Sequence, residues 1–164
     1  MSNSVDCPIC KIKCNDARKV EATDVTEYDC PRCGNYSITH QAVLNIESSG
    51  ISRQDRAKVA AYLRERTLRG DSRIRILSQQ YPDKEFDVPV VTADEIIKDR
   101  FPHAISERLD RALKNLYRLS EHLGDEIVLD MQVDGSVLFA EHKDSFNFLA
   151  ETLQEAGWVK LNPT

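Results

Sequence analysis

The sequence predicts an α+β fold in two parts, a small metal-stapled β unit followed by a mostly helical module. Three observations predict it. Four cysteines fall in two close pairs, Cys7-Pro8-Ile9-Cys10 and Cys30-Pro31-Arg32-Cys33. Further on, Ile105, Leu109, Ala112, Leu116, Leu119 and Leu123 lie within roughly 80° of arc at about 3.6 residues per turn, the strongest helical periodicity in the chain. Short runs of period two, at residues 26–30 and 126–132, read as strands. A length of 164 residues has room for one ordinary domain, or for a stapled unit plus a compact second one.

The elements follow in order. The run 26–30 leads into the second cysteine pair, and Tyr36 and Ile38 continue as a short strand. Thr39 caps a brief helix over 41–47. Ser48-Ser49-Gly50 marks a break. Ser52-Arg53-Gln54-Asp55 is a capping box with Asp in place of Glu, and it opens a helix that Gly70 ends. The apolar content of this helix (Ala57, Ala60, Ala61 and Leu63) forms no clear stripe, so a narrow seam is expected to pack and the rest to be exposed. A strand at 74–77 and a loop through Pro82 come next. Thr92-Ala93-Asp94-Glu95 is a full capping box, starting a short helix that stops before Phe101-Pro102. Pro102 suits the first turn of the leucine helix, which Gly124 closes. Residues 126–132 and 136–140 are expected to form a hairpin about Asp134-Gly135. A final helix over 145–156 places Phe146, Leu149, Ala150 and Leu153 on one face, Gly157 caps it, and 158–161 reads as an edge strand.

Four thiolates in two C-x2-C pairs, separated by the 19 residues from Lys11 to Asp29, fit the closed tetrahedral site of a zinc ribbon. Cys7, Cys10, Cys30 and Cys33 are therefore the expected ligands of one structural Zn2+. Gly34 follows the second pair and suits a left-handed residue at the knuckle end; Lys11 occupies the equivalent place in the first. Cys14 reads as a spare thiol, the alternative being that it replaces Cys10. A unit of about 40 residues has too little core to stand alone, so the metal would supply its folding energy. The expected organisation is a zinc ribbon over 1–50, a basic helix and connector over 51–90, and a helical module over 91–164.

Net charge is −5, unevenly spread. Residues 51–75 hold eight basic residues against Asp55, Glu65 and Asp71, whereas 76–164 hold nine basic residues against seventeen acids. Arg53, Arg56, Arg64, Arg66 and Arg69 are the candidate contacts to a partner; pairing with the chain's own acids is the other account of them. No window reaches 18 consecutive apolar residues, which excludes a helical membrane span. The N-terminus has neither a basic start nor an apolar core, so a cytoplasmic protein is expected. His40, His103, His122 and His142 are scattered, none within an HExxH context, and no GxSxG, GxxxxGK[ST] or GxGxxG occurs. The sequence thus predicts no catalysis.

The string from Tyr28 to Thr39 (YDCPRCGNYSIT), the long leucine helix and the motif from Phe148 to Val159 (FLAETLQEAGWV) together resemble the N-terminal region of a group of bacterial proteins, many of them suspected anti-phage defence proteins. The resemblance covers nearly the whole chain. It implies a zinc ribbon followed by a winged-helix-like module, often attached to a TIR-like or other effector domain. The expected role is then sensing, docking or oligomerisation through a protein partner or an attached effector, with homo-oligomers as one form. The competing expectation is a nucleic-acid-binding transcriptional regulator. Against it stand the acidic second half and a last helix bearing Glu151 and Glu155 where base-reading and phosphate-binding side chains belong.

Overall fold

A computed structural model of the chain describes residues 5–48, 50–82, 84–122 and 125–160. The fold is α+β, as the sequence predicts. Five strands form one mixed sheet in the order β1-β2-β3-β4-β5: β1 Asp16–Lys19, β2 Val25–Cys30, β3 Gly34–Thr39, β4 Ile74–Leu77 and β5 Val90–Thr92. The first three are an antiparallel meander, with Tyr28 opposite Tyr36; β4 and β5 add in parallel, with Tyr36 beside Ile74 and Ile76 beside Val91. Two helices, α1 His40–Ser48 and α2 Arg53–Leu68, make the crossover from β3 to β4. The break near residue 50 therefore separates two helices but not the sheet, which continues through residue 92.

Local signals account for the helices. Thr39 Oγ1 accepts from the Ala42 N–H at 3.2 Å and starts α1. Ser52 caps α2 through the Asp55 N–H at 3.0 Å, and Gly70 ends it at φ +75°. Thr92 caps α3, Ala93–Glu95, which widens into one π turn over Ile96–Arg100, closed by Phe101 N–H to Ile96 O at 2.9 Å. Phe101 must be extended before Pro102, and the helix stops there. The leucine helix α4 runs Ile105–Leu119 with Ala104 as its N-cap, so Pro102 precedes it instead of lying in its first turn. Leu123 and Gly124 lie outside the described residues. The last helix, α6 Lys143–Glu155, begins at a reciprocal cap between His142 and Ser145 and ends at Gly157, φ +75°.

Where a hairpin was expected, the chain does something else. Residues 125–130 are irregular, and a one-turn helix α5, Met131–Asp134, follows an Asp130 cap. The period of two is nonetheless real: Ile127 and Leu129 are partly buried while their neighbours are exposed. Such a period reports which side faces the core, not whether a partner strand exists. Residues 136–140 are all buried because they cross the core as a turn. Ala140 N–H bonds Gly135 O at 2.9 Å, Phe139 N–H bonds Ser136 O at 3.3 Å, and Phe139 takes φ +56°, a Schellman-type closure of the turn that follows α5. Residues 158–160 are not a strand; Leu161 lies outside the described residues.

Two cores result, and α2 serves both. Val59, Ala60 and Leu63 face the sheet core, with Tyr36, Ile38 and Ile76; Ala61 faces the second core, with Phe101, Leu116, Phe139 and Leu149. A helix covered on two sides shows no single apolar stripe, which is why its sequence suggested a narrow seam. Glu65, on the second side, is 4% exposed and forms a bidentate pair with Arg111 of α4, Nε to Oε1 at 3.0 Å. Arg111 also lies 4.8 Å from the centre of the Phe139 ring. No helix among the described residues is long and apolar enough to cross a membrane.

The leucine stripe of α4 is unequal in burial. Leu116 is buried, Leu109 and Leu119 are partly so, and Ile105 is 52% exposed. Leu116→Ala should therefore cost roughly 2–5 kcal/mol, whereas Ile105→Ala should stay within about 0.5 kcal/mol of the parent. Urea unfolding of the two variants, compared at equal slope, is the measurement; equal costs would contradict this packing.

Candidate metal centre

Both cysteine pairs sit on turns that present two sulfurs to one point. In the first, Cys7 N–H bonds Ile12 O at 2.8 Å and Lys11 N–H bonds Cys7 O at 2.9 Å, closed below by an Asp6–Lys13 bridge. Lys11 adopts φ +63°, the left-handed conformation that Gly34 takes at φ +77° in the second turn. The two knuckles are thus alike in backbone although only one carries glycine. Lys11 is held there with its ammonium 2.9 Å from Glu47 Oε1. Gly34 is needed for a further reason: a Cβ at that position would lie 2.1 Å from Thr67 Oγ1. That hydroxyl accepts the Asn35 N–H at 2.9 Å, bringing α2 against the knuckle.

The four sulfurs of Cys7, Cys10, Cys30 and Cys33 all lie within 4.8 Å of one another. The Cys7–Cys33 and Cys10–Cys30 separations are 3.7 and 3.5 Å. Sulfurs at about 2.3 Å from a tetrahedral ion are about 3.8 Å apart, so the set fits a metal, while a disulfide needs about 2.05 Å. The donor chemistry agrees. Bonds from Cys10 and the other neighbouring thiols, with Tyr36, pull Cys7 far below the ordinary thiol range, and the bond from Cys10 also lowers Cys30. The bond to Cys30 raises Cys10, and burial pushes Cys33 well up. Four thiols this close ionise together only if a cation offsets their mutual repulsion. Cys14 is buried beside the cluster but outside the foursome, its thiol pushed up by burial.

Two surrounding contacts were not evident from the sequence. Tyr36, fully buried on β3, places its hydroxyl 3.0 Å from Cys7 Sγ and stacks on Tyr28 at 5.4 Å between ring centres. Burial raises its pKa, and toward a Cys7 thiolate the phenol hydroxyl is the donor. Its inward orientation follows from strand alternation with Gly34 and Ile38, the signal that would have found it. The second contact is Arg56. Its guanidinium donates to Pro8 O at 2.9 Å and Ile9 O at 3.4 Å in the first knuckle, and to Ile46 O at 3.0 Å in α1.

The other candidate arginines are dispersed. Arg66 donates to Ser72 O at 3.1 Å and, with Arg69, pairs with Asp71. Arg64 is half-buried, with its Nε out of water, and Arg53 is exposed at the start of α2. Three of the five thus engage their own chain, Arg56 at the first knuckle and Arg66 and Arg69 beside Asp71. No protein-family model matches the chain, and no curated protein or solved structure is significantly similar to it.

One metal ion per chain is expected by elemental analysis. Loss of both Cys30 and Cys33 to serine should abolish it, and Cys14→Ser should leave it in place. Tyr36→Phe should weaken metal affinity about 10- to 100-fold, as removal of a partner to a ligand atom typically does. Competition against a calibrated chelator measures this, and unchanged affinity would assign Tyr36 to packing alone.

Proposed function

We propose that this chain is a non-catalytic zinc-binding recognition module, cytoplasmic, that docks a protein partner or an attached effector domain. The observation that carries it is the closed four-sulfur cluster. Zinc is the metal that suits four thiolates in a tetrahedral, redox-inert structural site. With all four positions filled by protein sulfur, no position remains for water or substrate, so the ion would act through folding, not chemistry. The resemblance to bacterial defence-type proteins supplies the setting. Within it, α4 and α6 would be the helices of the winged-helix-like module.

The side chains favour a protein over a nucleic acid. Arg56, Arg66 and Arg69 spend donors on carbonyls or acids of their own chain, which leaves few cations to neutralise phosphate. The outer face of α6 carries exposed Asp144, Glu151 and Glu155 around Phe148, which is 51% exposed. That face would repel a phosphate backbone, whereas an aromatic side chain rimmed by charge suits a protein surface.

Binding to random-sequence duplex DNA should accordingly be weak at about 150 mM salt and should fall steeply as salt rises from a lower value. Fluorescence anisotropy with a labelled duplex tests this. Submicromolar affinity at about 150 mM salt, lost when Arg53 and Arg64 are both changed to Glu, would make the chain a nucleic-acid-binding regulator instead.

A further inference from the structure

We propose that metal occupancy at the four cysteines sets the order of the segment over residues 131–140, buried from Gly135 onward, through Arg32 and Ser136. The inference rests on the metal site described above. Arg32 lies between Cys30 and Cys33, so its backbone is fixed by two sulfurs drawn to one point. Its carbonyl accepts the Ser136 hydroxyl at 2.8 Å, and its Nη1 donates to Gln132 O at 3.0 Å. These bonds join residues 100 and 104 positions apart in sequence. Gly135 leaves the space: a Cβ there would meet Met131 O at 2.9 Å and Arg32 Nη2 at 3.9 Å.

The segment that Arg32 grips has little order of its own. α5 is four residues long, far below the length at which a helix is stable in water. It is held by the knuckle on one side and by the second core on the other. Ser136 is fully buried and its hydroxyl also faces Val133 O at 3.3 Å, so releasing Arg32 removes the shorter of two contacts shielded from water. Immediately beyond it, Val137, Leu138 and Phe139 form the middle of the second core, and Val137 O accepts Asn115 Nδ2 of α4 at 3.1 Å. When no ion draws Cys30 and Cys33 together, the Arg32 carbonyl loses its fixed position and the turn loses one of its two supports. The metal state is thereby felt in a core that contains none of the ligands.

Hydrogen exchange on the full chain, read by mass spectrometry, tests the coupling. Residues 90–100, which comprise β5 at the far edge of the sheet from β1 and the helical turns after it, and which share the sheet core with the cysteines through Val91 and Ile96, are the internal reference. In zinc-loaded protein, chelation should speed exchange over 131–140 by at least about tenfold, with 90–100 changed by less than about twofold. Arg32→Ala combined with Ser136→Ala, which removes both bonds and keeps all four sulfurs, should retain one metal per chain. This double variant should nevertheless exchange over 131–140 as fast as the chelated parent, with little further response to chelator. Unchanged protection at 131–140 after chelation overturns the proposal, as does a full chelator response in the double variant. Loss of protection at 90–100 to the same extent also overturns it, because the ion would then be a staple for the whole chain. A chain that takes up no zinc at all fails in the metal assay, before any exchange is measured, and removes the proposal together with the site it rests on.

Discussion

Four sulfurs within 4.8 Å of one another, supplied by two turns far apart in sequence, are the constraint around which the N-terminal half is arranged. Each knuckle is short, and neither has apolar residues enough to hold its shape alone. The backbone meets the demand twice in the same way, with a left-handed residue closing each turn, Lys11 in one and Gly34 in the other. A non-glycine residue in that conformation costs on the order of 1 kcal/mol, which the shared site offsets. The scaffold then secures both turns from behind: Arg56 donates to the carbonyls of the first, and Thr67 fits the gap left by the missing side chain of Gly34 in the second. Both residues come from α2, so the helix that completes the sheet core also seats the sulfurs.

That dual duty explains the composition of α2. One side needs small and aliphatic residues against β3, and the other needs Ala61 and Glu65 against α4. A buried Glu65 is tolerable only because Arg111 meets it with two hydrogen bonds; a carboxylate left alone there would cost several kcal/mol. The pair fixes how α4 crosses α2 more than it adds net stability, since two charges taken out of water recover little beyond their desolvation cost.

The sequence made some of this legible and concealed the rest for identifiable reasons. Cysteine spacing located the four-sulfur cluster because the geometry of each pair is local to its knuckle. Capping residues Ser52 and Thr92 marked helix starts because a cap is a contact between neighbours. Strand β1 was invisible: of Asp16, Ala17, Arg18 and Lys19 only Ala17 packs inward, and a charged edge strand carries no apolar alternation. Strand β5 has three residues, too few for a period to show. The joining of β4 to β3 across the residue 50 break depends on a long-range crossover that no local signal reports. For the same reason the roles of Arg32, Tyr36 and Arg56 emerge only once distant segments are side by side.

The distribution of charge gains a different meaning in the folded chain. The excess of basic residues over 51–75 is drawn largely into pairs: Arg66 and Arg69 with Asp71, Arg73 with Glu27, Arg75 with Asp87, and Lys58 with Asp55 and Glu141. Such partly exposed pairs contribute little stability, but they offset part of the positive charge that this stretch carries. The acids of α6 are placed differently. Asp144, Glu151 and Glu155 recur with Phe148 at spacings of four, three and four, within about 60° of one helix face, and all four side chains are exposed. Three acids are therefore gathered beside Phe148 on one face of α6. Clustered charge of one sign is the arrangement through which a surface steers encounters, and here it lies on the helix whose other side places Leu149 and Leu153 in the second core with Val137 and Phe139.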